Sequence, residues 1–217
     1  MKKLIQEHKI LWQNKNFVGS VIFGVLFLCI SVVLNYQAGT YAFATMSSGV
    51  SDLILDNLPR MNVELVFIQG AILMAIVTFL LGLYYPKYMP ALLKNIALLY
   101  LFRSVAISLT HLGPPADMEG LYLADSITQR FIYGADYFFS GHTALPFIVA
   151  LIFWEKKPLR YLYLGITILF GFTALLGHVH YSIDVFAAPF IAHSTYFVTG
   201  KLFPKDYDLI STSKKVN

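Results

Sequence analysis

The chain has little charge and almost no cysteine. Only 13% of its 217 residues are charged, whereas 57% are hydrophobic. A soluble globular domain usually carries about 25% charged residues, so this composition excludes that class. The single cysteine, Cys29, excludes an intramolecular disulfide framework.

The apolar residues stand in long runs, and a helix needs about 20 mostly apolar residues to cross a bilayer core. No repeat or polar linker divides the chain. We therefore predict an all-α, polytopic membrane protein in which residues 1–217 form a single integral membrane domain. The predicted six-helix bundle has spans at about 17–36, 62–85, 91–111, 137–154, 160–177 and 181–203.

Lys and Arg are distributed unevenly between the two ends of the predicted helices. Of the 16 Lys and Arg residues, all but Arg60, Arg103 and Arg130 fall at the chain ends or at alternate helix ends. Cytoplasmic loops are enriched in Lys and Arg, so both termini are predicted to be cytoplasmic and segments 37–61 and 112–136 exoplasmic. The net charge of +4 comes from these membrane anchors, so no nucleic-acid partner is expected.

Two polar motifs lie where outer segments enter the fourth and sixth predicted helices. The first covers residues 136–143 and contains Ser140, Gly141 and His142, and the second covers 178–184. Because both helices begin on the same side of the membrane, the topology brings the two motifs to one surface at similar depth.

Three residues of these motifs are predicted to be catalytic. His180 and Asp184 are spaced i, i+4 and share a helix face, so the carboxylate can orient the imidazole and stabilise its cation. Histidine ionises near neutral pH and can act as nucleophile or acid. His142 arrives from another helix and can protonate a leaving oxygen. This pattern predicts phosphoryl transfer through a covalent histidine intermediate.

Further residues are predicted to bind the anionic substrate. Ser140 and Gly141 stand at a helix start, where backbone N–H groups and the helix dipole favour a phosphate. Arg103, in the outer half of the third predicted helix, offers a planar guanidinium fork and is the first candidate for the cationic donor. Arg130 is the second candidate. No cofactor is expected.

Several residues have alternative interpretations. His178 could replace His180 as the reactive base, but it has no carboxylate four residues later. The histidines of both motifs and Asp184 could bind a divalent metal, but the Ser-Gly-His-Thr sequence favours an anion, so no metal site is predicted.

The remaining alternatives are structural. The Arg103 side chain could extend to the lipid head groups. His111 and His193 are interpreted as hydrogen-bonded structural residues, because polar groups within membranes readily find partners.

Residues 136–143 and 178–185 resemble the two signature motifs of the sphingomyelin synthase family, a membrane branch related to type 2 phosphatidic acid phosphatases. The resemblance covers about residues 95–190. The end of the third helix also resembles a family motif. The residues concerned are Arg103-Ser104, followed by Thr110, Leu112 and Pro115.

The resemblance implies a six-helix bundle with its site at the exoplasmic face. It implies that His180 is the attacking nucleophile, oriented by Asp184, and that His142 is the general acid that later activates the acceptor. Asp136 matches a motif aspartate, and we place it with the substrate-binding residues without a defined role. Family members transfer a phospholipid head group to a ceramide or diacylglycerol acceptor, whereas relatives hydrolyse phosphate esters.

The sequence departs from these patterns at several positions. Gly134-Ala135 stand where many synthases carry Cys-Gly, and Ala174 stands where the phosphatases carry an arginine. The second departure favours the synthase branch, while both leave the acceptor open.

Three hypotheses follow for the function. The first is a lipid phosphotransferase whose substrates are a membrane phospholipid and a lipid alcohol. The second is a lipid phosphatase that uses water in the second half-reaction, and the third is a non-catalytic lipid-binding membrane protein. The oligomeric state stays open, with a homo-oligomer among the alternatives.

Overall fold

A computed structural model describes residues 2–115 and 137–211 of the chain. The regular secondary structure of this part is helical, which confirms the all-α prediction. Short helical turns occur at Leu55–Asn57, Leu65–Gln69 and Pro86–Tyr88. The α-helices are α1 (Lys2–Gln13), α2 (Lys15–Thr45), α3 (Gly70–Tyr84), α4 (Met89–Leu109), α5 (Gly141–Ile152), α6 (Lys157–Leu176), α7 (Ser182–Leu202) and α8 (Pro204–Ser211).

Four helical segments of the described chain are long and apolar enough to cross a membrane, which is compatible with an integral membrane protein. They are Lys15–Thr45, Leu65–Tyr84, Pro86–Leu109 and Lys157–Leu176. The other two predicted spans correspond to α5, which has 12 residues, and to α7, which has 21. The count of six spans therefore stays a prediction, as does the extent of the single domain.

Helix α2 is longer than the first predicted span, which was expected to end near residue 36. It continues to Thr45, and the hydroxyls of Thr40 and Thr45 donate to the carbonyls four residues earlier, so these polar groups are hydrogen-bonded within the helix. The first outer segment consequently begins at Met46. The short flanking helices α1 and α8 were not predicted, because neither is apolar enough to appear as a hydrophobic run.

Helix α5 is the centre of the bundle and packs against α4, α6 and α7. Its residues Ile148 and Val149 are fully buried, together with Phe153 just beyond its end. On the α7 side the buried residues are small, with Ala188 and Ala192 fully buried. Small side chains let membrane helices approach closely, so α5 and α7 hold their outer ends near each other.

A buried polar cluster attaches α8 to α2 and α4. The ammonium group of Lys94 pairs with the carboxylate of Asp206, and the hydroxyl of Ser20 donates to the same carboxylate at 2.6 Å. The Asn95 amide donates to the Tyr207 hydroxyl at 2.9 Å. Lys94 was counted among the lysines that orient the chain, but it lies inside α4 and is only 4% exposed. It is therefore a paired cation inside the helix, and its partners Ser20 and Asp206 come from the segments next to the two chain termini.

We expect Lys94→Met to lower the free energy of unfolding by about 3–5 kcal/mol, because it leaves the Asp206 carboxylate buried without its counter-charge. Detergent-solubilised protein titrated with denaturant measures this change. The exposed neighbour Lys205 provides the control, and Lys205→Met is expected to change stability by less than about 0.5 kcal/mol. If Asp206→Leu lowered the free energy of unfolding by the same amount in the Lys94→Met variant as in the wild-type protein, the two side chains would not be coupled.

Candidate active site

The imidazole of His180 is held through its Nδ1 atom at the start of α7. Nδ1 lies 2.9 Å from the Tyr137 carbonyl oxygen and 3.3 Å from Asp184 Oδ2. A carbonyl oxygen can only accept a hydrogen bond, so this geometry assigns the proton to Nδ1. The lone pair is then on Nε2, which is the nitrogen able to attack an electrophile.

Asp184 is fully buried and connects the starts of two helices through its carboxylate and its backbone carbonyl. Its Oδ2 accepts the Tyr181 N–H at 3.0 Å, and the Asp184 carbonyl accepts the Ser140 N–H at 3.2 Å. The expected i, i+4 contact between His180 and Asp184 is therefore present in the structure. The same aspartate also fixes the start of α5 beside it.

Ser140 is the N-cap residue of α5. Its hydroxyl oxygen accepts the Thr143 N–H at 3.4 Å. Within the described part of the chain, no group accepts a hydrogen bond from the backbone N–H of Gly141 or His142. Two backbone donors thus lie at the positive end of a helix dipole, an arrangement that favours an anion.

Arg103 extends from α4 to the start of α5. Its Nε donates to the Phe139 carbonyl oxygen at 3.0 Å, and the residue is 7% exposed. A Cβ atom added to Gly141 would lie 3.4 Å from Nε and 3.7 Å from Cζ of Arg103. The guanidinium therefore lies against the glycine, directed into the bundle and not toward the head groups as the alternative interpretation proposed.

The ring of His142 is enclosed by two aromatic side chains. It stacks on Phe67 with ring centroids 3.7 Å apart and meets Phe170 edge to face at 5.8 Å. His142 directly follows Gly141, which lies against the Arg103 guanidinium. Neither phenylalanine was predicted to be a site residue, because nothing in the sequence distinguishes them from the other phenylalanines among the 18 of the chain.

The structure thus brings six of the predicted site residues into one cluster. They are Arg103, Ser140, Gly141, His142, His180 and Asp184. Asp136 and Arg130 lie outside the described residues. The catalytic and binding roles of all eight residues stay predictions.

The other histidines have different surroundings. Nε2 of His178 lies 3.0 Å from the Leu58 carbonyl oxygen, and His111 meets the Tyr41 ring edge to face at 5.6 Å. His193 is exposed on α7. In residues 2–115 and 137–211, no group of three or more His, Cys, Asp or Glu side chains could hold a metal ion.

The family described as PAP2 superfamily C-terminal matches residues 134–201. The match supports the type 2 phosphatidic acid phosphatase superfamily. Members of that superfamily are phosphatases or phosphotransferases, and its lipid phosphatases act on membrane lipids. The matched region includes both motifs and extends from before α5 to near the end of α7. No curated protein and no solved structure matches the chain.

Proposed function

We propose that this chain is a membrane lipid phosphotransferase of the sphingomyelin synthase type. It would move a phospholipid head group to a lipid alcohol through a phosphohistidine intermediate. The observation that carries the proposal is the hydrogen bond from His180 Nδ1 to the Tyr137 carbonyl, which leaves Nε2 as the nucleophile within a cluster that also contains His142 and Arg103. The superfamily match and the motif resemblance support the same reaction class.

In the first half-reaction, Nε2 of His180 attacks the phosphorus of a lipid phosphodiester. The N–P bond forms as the P–O bond to the departing lipid alcohol breaks, and the protonated imidazole of His142 transfers its proton to that oxygen. The anionic phosphodiester beside His142 favours the imidazolium form needed for this step. The Tyr137 carbonyl and the Asp184 carboxylate keep the Nδ1 proton in place and stabilise the positive charge on the ring.

Negative charge that develops on the phosphoryl oxygens meets three donors. Arg103 supplies a positive charge next to Gly141, and the N–H groups of Gly141 and His142 are the two donors at the N-terminus of α5. Donors fixed before the reaction are effective because they need no reorganisation in the transition state.

In the second half-reaction, the neutral His142 takes a proton from the acceptor alcohol, whose oxygen attacks phosphorus. The N–P bond then breaks and the lone pair returns to His180. Phe67 and Phe170 flank the ring that activates the acceptor, which favours a lipid alcohol over water at this position. Hydrolysis remains a second candidate, because the matched superfamily contains phosphatases.

The proposed location of the reaction is the exoplasmic membrane face, with both termini in the cytoplasm. The lysines near the chain termini and between α5 and α6 support this orientation. The substrates are drawn from the membrane itself, since apolar side chains such as Ile72 and Phe79 cover the outer surface of α3.

An assay with a doubly labelled phospholipid distinguishes transfer from hydrolysis. The purified chain in detergent receives phospholipid labelled in the head group and in the acyl chains, with or without ceramide. Transfer predicts a new lipid that carries the head group and multiple-turnover release of labelled diacylglycerol, both dependent on ceramide, whereas a single turnover of diacylglycerol release needs no acceptor. Free phosphorylated head group without any acceptor would instead support the phosphatase, and no product under either condition would support the non-catalytic hypothesis.

A further inference from the structure

The first outer segment, residues 46–64, wraps around the turn between α6 and α7 that carries His180. Three hydrogen bonds join the segment to residues 176–181. They connect Val50 N–H to the Tyr181 hydroxyl at 3.2 Å, Met61 N–H to the Leu176 carbonyl at 2.7 Å, and the Leu58 carbonyl to His178 Nε2 at 3.0 Å.

Asp52 makes the fourth connection and is the one residue of the segment whose carboxylate, among the described contacts, reaches α7. Its Oδ2 accepts the Ser182 N–H at 2.7 Å, while its Oδ1 accepts the N–H groups of Ile54 at 2.9 Å and Leu55 at 3.2 Å. Asp52 is 8% exposed. Both carboxylate oxygens therefore accept hydrogen bonds, Oδ1 from its own segment and Oδ2 from the start of α7.

Two carboxylates hold consecutive N–H groups of the backbone that follows His180. Asp184 accepts from Tyr181 from within α7, and Asp52 accepts from Ser182 across the fold. An acidic group at a helix N-terminus is stabilised by the helix dipole and by the backbone donors there. Burial opposes ionisation of Asp52, but these hydrogen bonds outweigh it and hold the pKa of Asp52 below its usual value.

We propose that Asp52 is a positioning residue for His180. By fixing the Ser182 N–H, Asp52 keeps the preceding turn in the register that places His180 Nδ1 on the Tyr137 carbonyl and directs Nε2 at the phosphorus. Its catalytic consequence rests on the proposed function, whereas its structural consequence does not.

Two substitutions disrupt this anchoring from opposite sides. An asparagine at 52 has a single acceptor oxygen, so its amide NH₂ would face either Ser182 or the N–H groups of its own segment, and one set of hydrogen bonds is lost. Proline at 182 removes the donor N–H together with the serine hydroxyl, and this position suits its backbone. Ser182 is the first residue of α7, where proline is favoured, and Tyr181 before it already has the extended backbone that precedes proline, with φ −67° and ψ 157°.

Each substitution has a matched control. Asp56→Asn makes the same chemical change four residues away on an exposed side chain, and the asparagine oxygen can still accept the Asp52 N–H. Ser182→Ala removes the hydroxyl of Ser182 but keeps its N–H group. The controls separate loss of the specific hydrogen bond from loss of charge or of a polar side chain.

We expect Asp52→Asn and Ser182→Pro each to lower kcat by about 10–100-fold, because misplacement of a reacting group by about 1 Å can cost a factor of this size. KM is expected to change by less than about threefold, and the double variant to lose little more than either single one. The assay follows transfer at a temperature where all variants are folded. A kcat equal to that of Asp56→Asn, or a loss that only follows the folded fraction, would overturn the proposal.

Hydrogen exchange of peptides covering residues 179–186 tests the anchoring without any substrate. Both substitutions are expected to speed exchange there, while both controls leave it near the wild-type rate. Unchanged exchange in Asp52→Asn would overturn the proposal even if kcat fell. If the wild-type chain transferred no head group, the proposed function would fail, and faster exchange would still establish that Asp52 anchors the His180 turn.

Discussion

His180→Ala is expected to reduce the rate of head-group transfer by on the order of 10³-fold or more, since removal of a nucleophile eliminates the covalent pathway. Within the described residues, His180 is the imidazole that contacts the Asp184 carboxylate. His178, two residues earlier, has its Nε2 at the Leu58 carbonyl, and His142 lies between two phenylalanine rings. Single-turnover release of labelled diacylglycerol measures the effect directly, because it reports the first half-reaction alone.

The matched control is His193→Ala, which removes an exposed histidine from α7, the helix that follows His180. This variant is expected to keep wild-type turnover. A head-group label retained by the wild-type protein, but absent from His180→Ala, would identify the covalent intermediate. Full turnover in His180→Ala would refute both the transferase and the phosphatase proposals.

Arg103→Ala is expected to lower kcat/KM by about 10²–10³-fold, the usual cost of removing one preorganised donor to a developing oxyanion. Arg103→Lys should recover only part of this loss. Lysine keeps the charge but lacks the planar fork that lets one side chain donate from Nε to the Phe139 carbonyl and present further N–H groups to a phosphate.

The steady-state assay with varied phospholipid measures kcat/KM for both Arg103 variants. Arg60→Ala provides the control, because Arg60 is an exposed guanidinium in the first outer segment. Its kcat/KM is expected to stay within about twofold of wild type, since isolated surface charges contribute little. If Arg103→Ala behaved like Arg60→Ala, Arg103 would have no part in binding the phosphate.

Local sequence patterns predicted the features that depend on near neighbours. The long apolar runs indicated the helices, since length and hydropathy are properties of the chain itself. The i, i+4 spacing predicted that His180 and Asp184 share a helix face, and Ser140 and Gly141 were predicted to stand at a helix start. The helix begins at Gly141, four residues after the predicted start of the span at residue 137. The family match covers these same motifs.

Features that depend on contacts between distant segments were not predictable in this way. The Tyr137 carbonyl that orients His180 is a backbone group, so no residue type in the sequence indicates it. Asp52 and Ser182 are 130 positions apart, and their contact exists only because the first outer segment folds over the turn. The Lys94–Asp206 pair was not predictable for the same reason, since the two residues are 112 positions apart.

The Lys94–Asp206 pair joins segments that the ribosome makes far apart in time. Asp206 follows Lys94 by 112 positions, so Lys94 cannot meet this carboxylate until α8 has been synthesised. A chain terminated before Asp206 would therefore lack the counter-charge that Lys94 has in the folded protein.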